Sequence, residues 1–320
     1  MIDLAAGIDI GGTNTVFGLV DAQGRIHGSG TIKTSSFKDV EEFVSALYNN
    51  ISEEALRKGN VRLTGFGIGA PMGNINKGSI EHAAGLPWKG IIHLADIFRK
   101  HTALPVIVTN DANAAAIGEM VFGDAKAMTD FIVITLGTGL GSGIVVNGRL
   151  VYGHDGFAGE LGHTSAGHGF ADRECGCGKM GCLETYVSAT GLKRTLIHLL
   201  ADDLQQCSLR NVSFNDLTSE MIYNAATEGD KIAMEAFRLT GNVLGASLAD
   251  FVAVTSPEAI FLFGGVARAG KMLFDPVRES MEMNLLNIYR GKVKLLPSGL
   301  EAGNAAVLGA GSLVWSGNLV

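Results

Sequence analysis

Short apolar runs divided by glycine turns open the chain: Ala6–Ile10, then Gly11-Gly12, then Val16–Val20. Runs of this length bounded by turn residues predict buried strands. Asp21-Ala-Gln-Gly24 is a turn signal, and Arg25–Lys33 returns as a third strand. Across Val40–Arg57 the period changes, with Val40, Phe43, Val44, Leu47, Ile51 and Leu56 near helical spacing. Arg62–Ala70 predicts a strand, Ile91–Arg99 a helix, Pro105–Thr109 a short buried strand and Asp111–Phe122 an alanine-rich helix. This alternation predicts an α/β domain on a mixed sheet.

A second module begins near Gly123. Phe131–Leu136 and Ser142–Val146 read as strands joined by Gly137-Thr-Gly-Leu-Gly141, and Asn147-Gly148 is a hairpin signal. Helices follow at roughly 183–200, 216–227 and 230–254, then a strand at Ala259–Phe263 ending in Gly264-Gly265. Leu273–Asn287 predicts a helix, Val293–Leu296 a strand and Ala302–Ser312 a last helix. Asp9-Ile-Gly-Gly-Thr13 in the first half is echoed by Thr135-Leu-Gly-Thr-Gly139 in the second, a repeat of shape rather than of sequence.

Composition narrows the function. With 320 residues, 47% hydrophobic and 18% charged, the chain is long enough for two globular domains. It shows no membrane-length apolar run and no secretory leader. A net charge of −7 without a basic cluster argues against nucleic acid as the main partner. Glycine is in excess, at 44 residues, and sits where strands give way to loops. There it lets backbone approach a ligand closely.

Three of the four cysteines, Cys175, Cys177 and Cys182, fall within eight residues. His163 lies upstream, and Glu160 and Glu184 flank the block. One imidazole with three thiolates is a usual set for structural zinc, and it implies a reducing, cytoplasmic compartment rather than a disulfide framework. His163 and His168 both precede Cys175; His163 is favoured because Glu160 stands three residues before it. The loop is rich in glycine and charge, so a metal would order it and fix both glutamates. The two glycine turns, with Thr13 and Thr138, suit phosphate, although each alone could be a plain tight turn. Asn110-Asp111 opens a helix after a strand. Asp111 is either a helix cap or a general base toward a sugar hydroxyl; a helix N-terminus would keep it ionised and weakly basic.

Asp9-Ile-Gly-Gly-Thr13, Gly69-Ala-Pro71, Asn110-Asp111, Leu136-Gly-Thr-Gly139, Glu160-Leu-Gly-His163, Cys175-Gly-Cys-Gly178, Gly181-Cys-Leu-Glu184 and Gly264-Gly265 stand in the order seen in ROK proteins (repressors, open reading frames and sugar kinases). The chain resembles that family over nearly its whole length, and within it most a sugar kinase of the bacterial glucokinase type. The resemblance implies an actin-like ATPase (hexokinase-type) fold, two α/β domains flanking a cleft that closes on sugar. The small domain would span 1–120 and take back a C-terminal helix at about 301–320; the large one, 121–300, would carry the zinc loop 160–184. It implies ATP-dependent phosphorylation of a hexose 6-hydroxyl, glucose first, with Asp111 as base. Asn110, Glu160, His163 and Glu184 would bind the other hydroxyls. Gly11, Gly12, Thr13, Thr138 and Gly265 would line ATP, with magnesium on its phosphates. His163, Cys175, Cys177 and Cys182 would hold zinc, and the protein would be a homodimer.

Two departures bear on the sugar. Gly85-Leu-Pro-Trp88 stands where many family kinases have Asn-Leu-Pro-Trp, and Met72 stands where glycine is frequent. They keep N-acetylmannosamine, N-acetylglucosamine, fructose and allose open as substrates. A sugar-sensing regulator is the other class in this family. Such repressors carry an N-terminal helix-turn-helix, for which the nucleotide motif within the first ten residues leaves no room.

Overall fold

The computed structural model describes residues 1–167, 172–202, 204–300 and 304–317. Contacts divide the chain into two units: Met1–Thr129 with Gly143–Gly159 and Ser298–Val320, and Asp130–Ser142 with Glu160–Pro297. The sequence set a boundary near 120 and gave 143–159 to the second domain; contacts place that segment in the first.

The first unit runs β1 (Ile2–Ile10), β2 (Thr15–Val20), β3 (Ile26–Ile32), α1 (Val40–Lys58), β4 (Val61–Gly69), β5 (Gly73–Asn74), β6 (Ser79–Glu81), β7 (Ile91–Ile92), α2 (Leu94–Arg99), β8 (Val106–Thr109) and α3 (Asp111–Val121). Its main sheet has the order β3-β2-β1-β4-β8. The first three strands form an antiparallel meander, and β1, β4 and β8 run parallel. The parallel strands are nearly continuous apolar runs, as strands covered on both faces require. The Asp39 side chain caps α1 by accepting from the Glu41 and Glu42 amides at 2.6 and 3.4 Å. Phe43, Val44, Leu47 and Ile51 then bury one face of that helix in the core.

Two predicted elements change form. Ile91 and Ile92 pair with β6 in a small β5-β6-β7 sheet, and the helix begins only at Leu94. Ile91 is exposed and Ile92 buried, the alternation of a strand. The helix expected over 183–200 breaks at Ser188, which is extended and accepts the Gly191 amide on its hydroxyl at 3.1 Å.

The second sheet comprises β9 (Phe131–Leu136), β10 (Leu140–Val146), β11 (Arg149–Leu150), β12 (Ala259–Phe263) and β13 (Lys294–Pro297), in the order β11-β10-β9-β12-β13. The same plan of three meander strands followed by two parallel ones thus occurs twice, which is the repeat the sequence hinted at. The helices of this half are α4 (Glu184–Val187), α5 (Ala189–Asp202), α6 (Ser219–Thr227), α7 (Lys231–Thr255) and α8 (Lys271–Asn284). Buried Phe131 and Phe261 meet edge to face at 5.9 Å in the sheet interior. The doubled α/β plan is the actin-like ATPase arrangement expected from the sequence. Among the described residues no helix is long and apolar enough to cross a membrane.

The last helix, α9 (Ala305–Trp315), packs on β1, β4 and α3 within the first unit; residues 301–303 and 318–320 of the expected segment lie outside the described residues. Backbone meets backbone here. A Cβ on Gly67 would overlap the Ala310 carbonyl oxygen, and one on Gly7 the Val307 carbonyl oxygen. Gly67→Ala is therefore expected to lower stability by about 3 kcal/mol through overpacking, read as a drop in the urea midpoint at unchanged m-value.

Candidate active site

In the first unit the strand ends of β1 and β8 each present a carboxylate. Beyond Asp9, the Gly11 amide donates to the Asn14 carbonyl at 3.0 Å and closes a tight turn with Gly12 and Thr13 at its tip. Thr13 is exposed. Gly12 has no room for a side chain because the Gly85 carbonyl lies against it. The Gly85-Leu-Pro-Trp88 loop therefore rests on the turn, anchored by buried Trp88 against Phe43 at 4.7 Å. A Cβ on Gly85 itself would meet nothing within 4 Å.

The α3 N-cap is Asn110, whose Oδ1 accepts the Ala112 amide at 2.8 Å. Asp111 is therefore the first helical residue rather than the cap, which corrects the cap alternative. Its Oδ1 shares the same amide at 2.8 Å. Asp111 is exposed to solvent yet closely surrounded by protein. That surrounding mass raises its carboxyl above the ordinary carboxylate range, against the pull of the Ala112 amide. Because water reaches the group, the rise is smaller than in a sealed interior. The helix N-terminus was expected to keep Asp111 weakly basic; desolvation outweighs it. Asp9 is pushed up to about 6, first by burial and then by the negative charge of Asp111.

In the second unit the four expected metal ligands converge. One ligand atom from each of His163, Cys175, Cys177 and Cys182 lies within 4.8 Å of all the others. Cys177 Sγ and Cys182 Sγ are 3.6 Å apart, and Cys175 Sγ is 3.6 Å from His163 Nδ1. A tetrahedral zinc with bonds near 2.3 and 2.0 Å has edges of about 3.8 Å between sulfurs and about 3.6 Å between sulfur and nitrogen, so the donor set fits that ion. His168, the alternative ligand, lies outside the described residues. His163 Nε2 points the other way, 3.9 Å from Glu160 Oε2. Glu184 faces the cluster, its Oε1 accepting from Cys175 Sγ at 3.0 Å.

The Gly137–Gly141 turn and Gly264-Gly265 lie side by side, because Gly264, at φ 104°, has its Cβ direction filled by the Leu136 backbone. Thr138 is exposed on the first turn. Gly265 opens a cavity of about 320 Å³ lined also by Tyr223, Asn224, Phe237, Val266 and Arg268.

A family model described as the ROK family matches residues 5–316. The chain belongs to the ROK family. The glucokinase of Halalkalibacterium halodurans is 34% identical over 316 residues, covering 96% of this chain and 94% of that protein. A solved ROK family glucokinase from Streptomyces griseus, in complex with glucose and AMPPNP, is 32% identical with a TM-score of 0.80, covering 97% of this chain and 98% of that one. The xylose repressor of Caldicellulosiruptor bescii is 30% identical over 284 residues, 87% of this chain and 70% of the repressor.

Two residues of this ROK chain escaped the sequence reading. Asp9 was visible only as the opening of a glycine motif, although an acid at a strand end before paired glycines is itself a signal. Arg173 had no signal. Its Nη1 donates to the Thr185 and Gly191 carbonyls at 2.9 and 3.1 Å, and the guanidinium lies 4.3 Å over the Tyr186 ring. It pins the cysteine-rich loop to α4 and α5.

The Asp9 shift has a stability consequence. A folded-state pKa above the unfolded value of about 4 means that ionisation penalises the fold. The penalty is absent near pH 4, grows as pH rises through about 6 and then stays constant. Asp9→Asn is thus expected to stabilise the metal-free protein by about 3 kcal/mol at pH 7.5 and by nothing near pH 4, measured by urea unfolding at both pH values.

Proposed function

We propose that the protein is an ATP-dependent hexose kinase that phosphorylates the 6-hydroxyl, with glucose the leading substrate. The observation that carries this is Asp111: at the head of α3 it shares the Ala112 amide with the cap residue Asn110, is open to solvent, and is raised in basicity by its surroundings. Phosphoryl transfer needs little more of a base, because its transition state is loose and the hydroxyl proton leaves late. Asp111 accepts that proton. Asn110, Glu160, Glu184 and His163 Nε2 bind the remaining hydroxyls.

Gly11, Gly12, Thr13 and Thr138 offer backbone amides and hydroxyls to the phosphates. The cavity beside Gly265 takes the nucleoside, with Tyr223 and Phe237 as apolar walls. Magnesium arriving with ATP neutralises phosphate charge. Asp9 would hold it, since a cation offsets both the burial and the Asp111 charge that raise this carboxyl. His163 Nδ1, Cys175, Cys177 and Cys182 would hold a structural zinc, leaving His163 Nε2 for sugar. We place the enzyme in the cytoplasm, as a homodimer.

The open space beside Gly85 admits a larger sugar substituent and keeps the N-acetylhexosamines, with fructose and allose, in contention. The repressor relative supports a second reading, a sugar-sensing regulator. Loss of Asp111 or Thr13 would have favoured it, and both are present.

ADP release with magnesium-ATP, assayed against glucose, mannose, fructose, allose, N-acetylglucosamine and N-acetylmannosamine, is expected to show one strongly preferred hexose. Asp111→Asn should lower kcat on that sugar by about a thousandfold or more while calorimetric sugar binding persists. No turnover on any sugar from folded, zinc-loaded protein would favour the regulator. Separately, Cys177→Ser is expected to reduce bound zinc well below one per chain by elemental analysis and to lower the melting temperature; full zinc occupancy would remove Cys177 from the ligand set.

A further inference from the structure

We propose that the cysteine-rich loop braces the Gly137–Gly141 turn, so that metal held by His163, Cys175, Cys177 and Cys182 sets nucleotide affinity as well as sugar binding. The nucleotide half of this inference rests on the proposed phosphate role of that turn.

Six contacts within the second unit carry it. Glu184 Oε2 accepts the Leu140 amide at 3.3 Å. The same oxygen lies 2.6 Å from where a Cβ on Gly139 would stand, so the carboxylate covers bare backbone. The Leu161 amide, two residues before the ligand His163, donates to Ser142 Oγ at 3.3 Å. Gly162 fits directly against the Leu140 carbonyl. From the other side, the Ala189 amide at the head of α5 donates to the Gly137 carbonyl at 2.9 Å. Glu184 Oε1 meanwhile faces Cys175 Sγ at 3.0 Å. One carboxylate thus touches a metal ligand with one oxygen and the turn with the other.

The turn needs such support. Gly137 and Thr138 are exposed, and glycine loses more conformational freedom on ordering than any other residue. Within the turn itself the Gly137 amide reaches the Gly139 carbonyl at 3.1 Å, and the Gly141 amide reaches Thr135 Oγ1 at 3.2 Å. A turn ordered before ligand arrives binds more tightly, because the ordering cost is already met. Glu184, beyond its proposed contact with sugar, and Ser142 are positioning residues here. The coupling is reciprocal: nucleotide bound at the turn must raise metal affinity by the same factor.

Hydrogen exchange on the full chain, zinc-loaded and after removal of zinc with a zinc-selective chelator, tests the brace without turnover. Amides of 139–142 and 161–163 are expected to exchange at least about tenfold faster in the stripped protein, while those of β9 and β12 hold. Magnesium-AMPPNP should raise the chelator concentration needed to strip half of the zinc at equilibrium. Ser142→Ala, which keeps every metal ligand, should weaken AMPPNP binding about fivefold, with zinc content unchanged. Unchanged exchange at 139–142 on stripping, or equal loss across β9 and β12, overturns the brace. If 139–142 loosens but AMPPNP binds neither form, the brace stands and the phosphate role of the turn fails.

Discussion

The first unit depends on backbone meeting backbone where α9 crosses the sheet. Gly7 and Gly67 leave the β1 and β4 surfaces bare, and carbonyls of α9 occupy the space that side chains would take. The helix follows the same rule on its other side, where Gly309 lies within contact of the Ala114 carbonyl of α3. Packing this close leaves no freedom for α3 to slide. Its first residue, Asp111, is therefore fixed relative to Asp9 on β1 by bare-backbone contacts rather than by any bond between the two acids. The excess of glycine noted in the composition serves two ends: some glycines face ligand turns, and others allow this contact.

The second unit solves a different problem. Residues 160–184 contain few apolar side chains for a core, and the described ones are joined instead by polar and sulfur contacts. Four ligand atoms converge at the distances a tetrahedral ion requires. Arg173 adds a polar clamp of its own, satisfied by two carbonyls, the Thr195 hydroxyl and an aromatic face. Arg173 is half-buried, and its Nη1 keeps hydrogen-bond partners there. His163 has one nitrogen beside a thiol and the other toward Glu160, so a single ring faces the cluster on one side and a carboxylate on the other.

Most of the strands and long helices were legible because their apolar periods are strong. Phe131–Leu136 and Ala259–Phe263 match their predicted limits, and α1 differs by one residue. The cysteine block was legible because thiols at that spacing have few other uses. What escaped were features set by distant contacts. Ile91-Ile92 looks helical beside Leu94 until β6 pairs with it. Ser188 interrupts a helical pattern because its hydroxyl caps the next helix. The return of 143–159 to the first unit depends on Gly143 admitting α3, a contact no local pattern encodes.

The carboxylates show why local rules misjudge a site. A helix N-terminus favours an ionised acid by about 0.3–1 kcal/mol at an exposed position, and on that rule alone Asp111 should be a poor base. Desolvation by surrounding protein acts on the same group in the opposite sense, and the net direction for Asp111 is upward. Asp9 has the same burden plus a like charge beside it. An acid pair raised in this way is unfavourable for an empty protein and favourable once a cation or a proton from substrate arrives. The stability lost in the unliganded state is the same free energy that makes the pair respond to ligand. Raised carboxylates of this kind suit the proton acceptor and cation ligand proposed for Asp111 and Asp9.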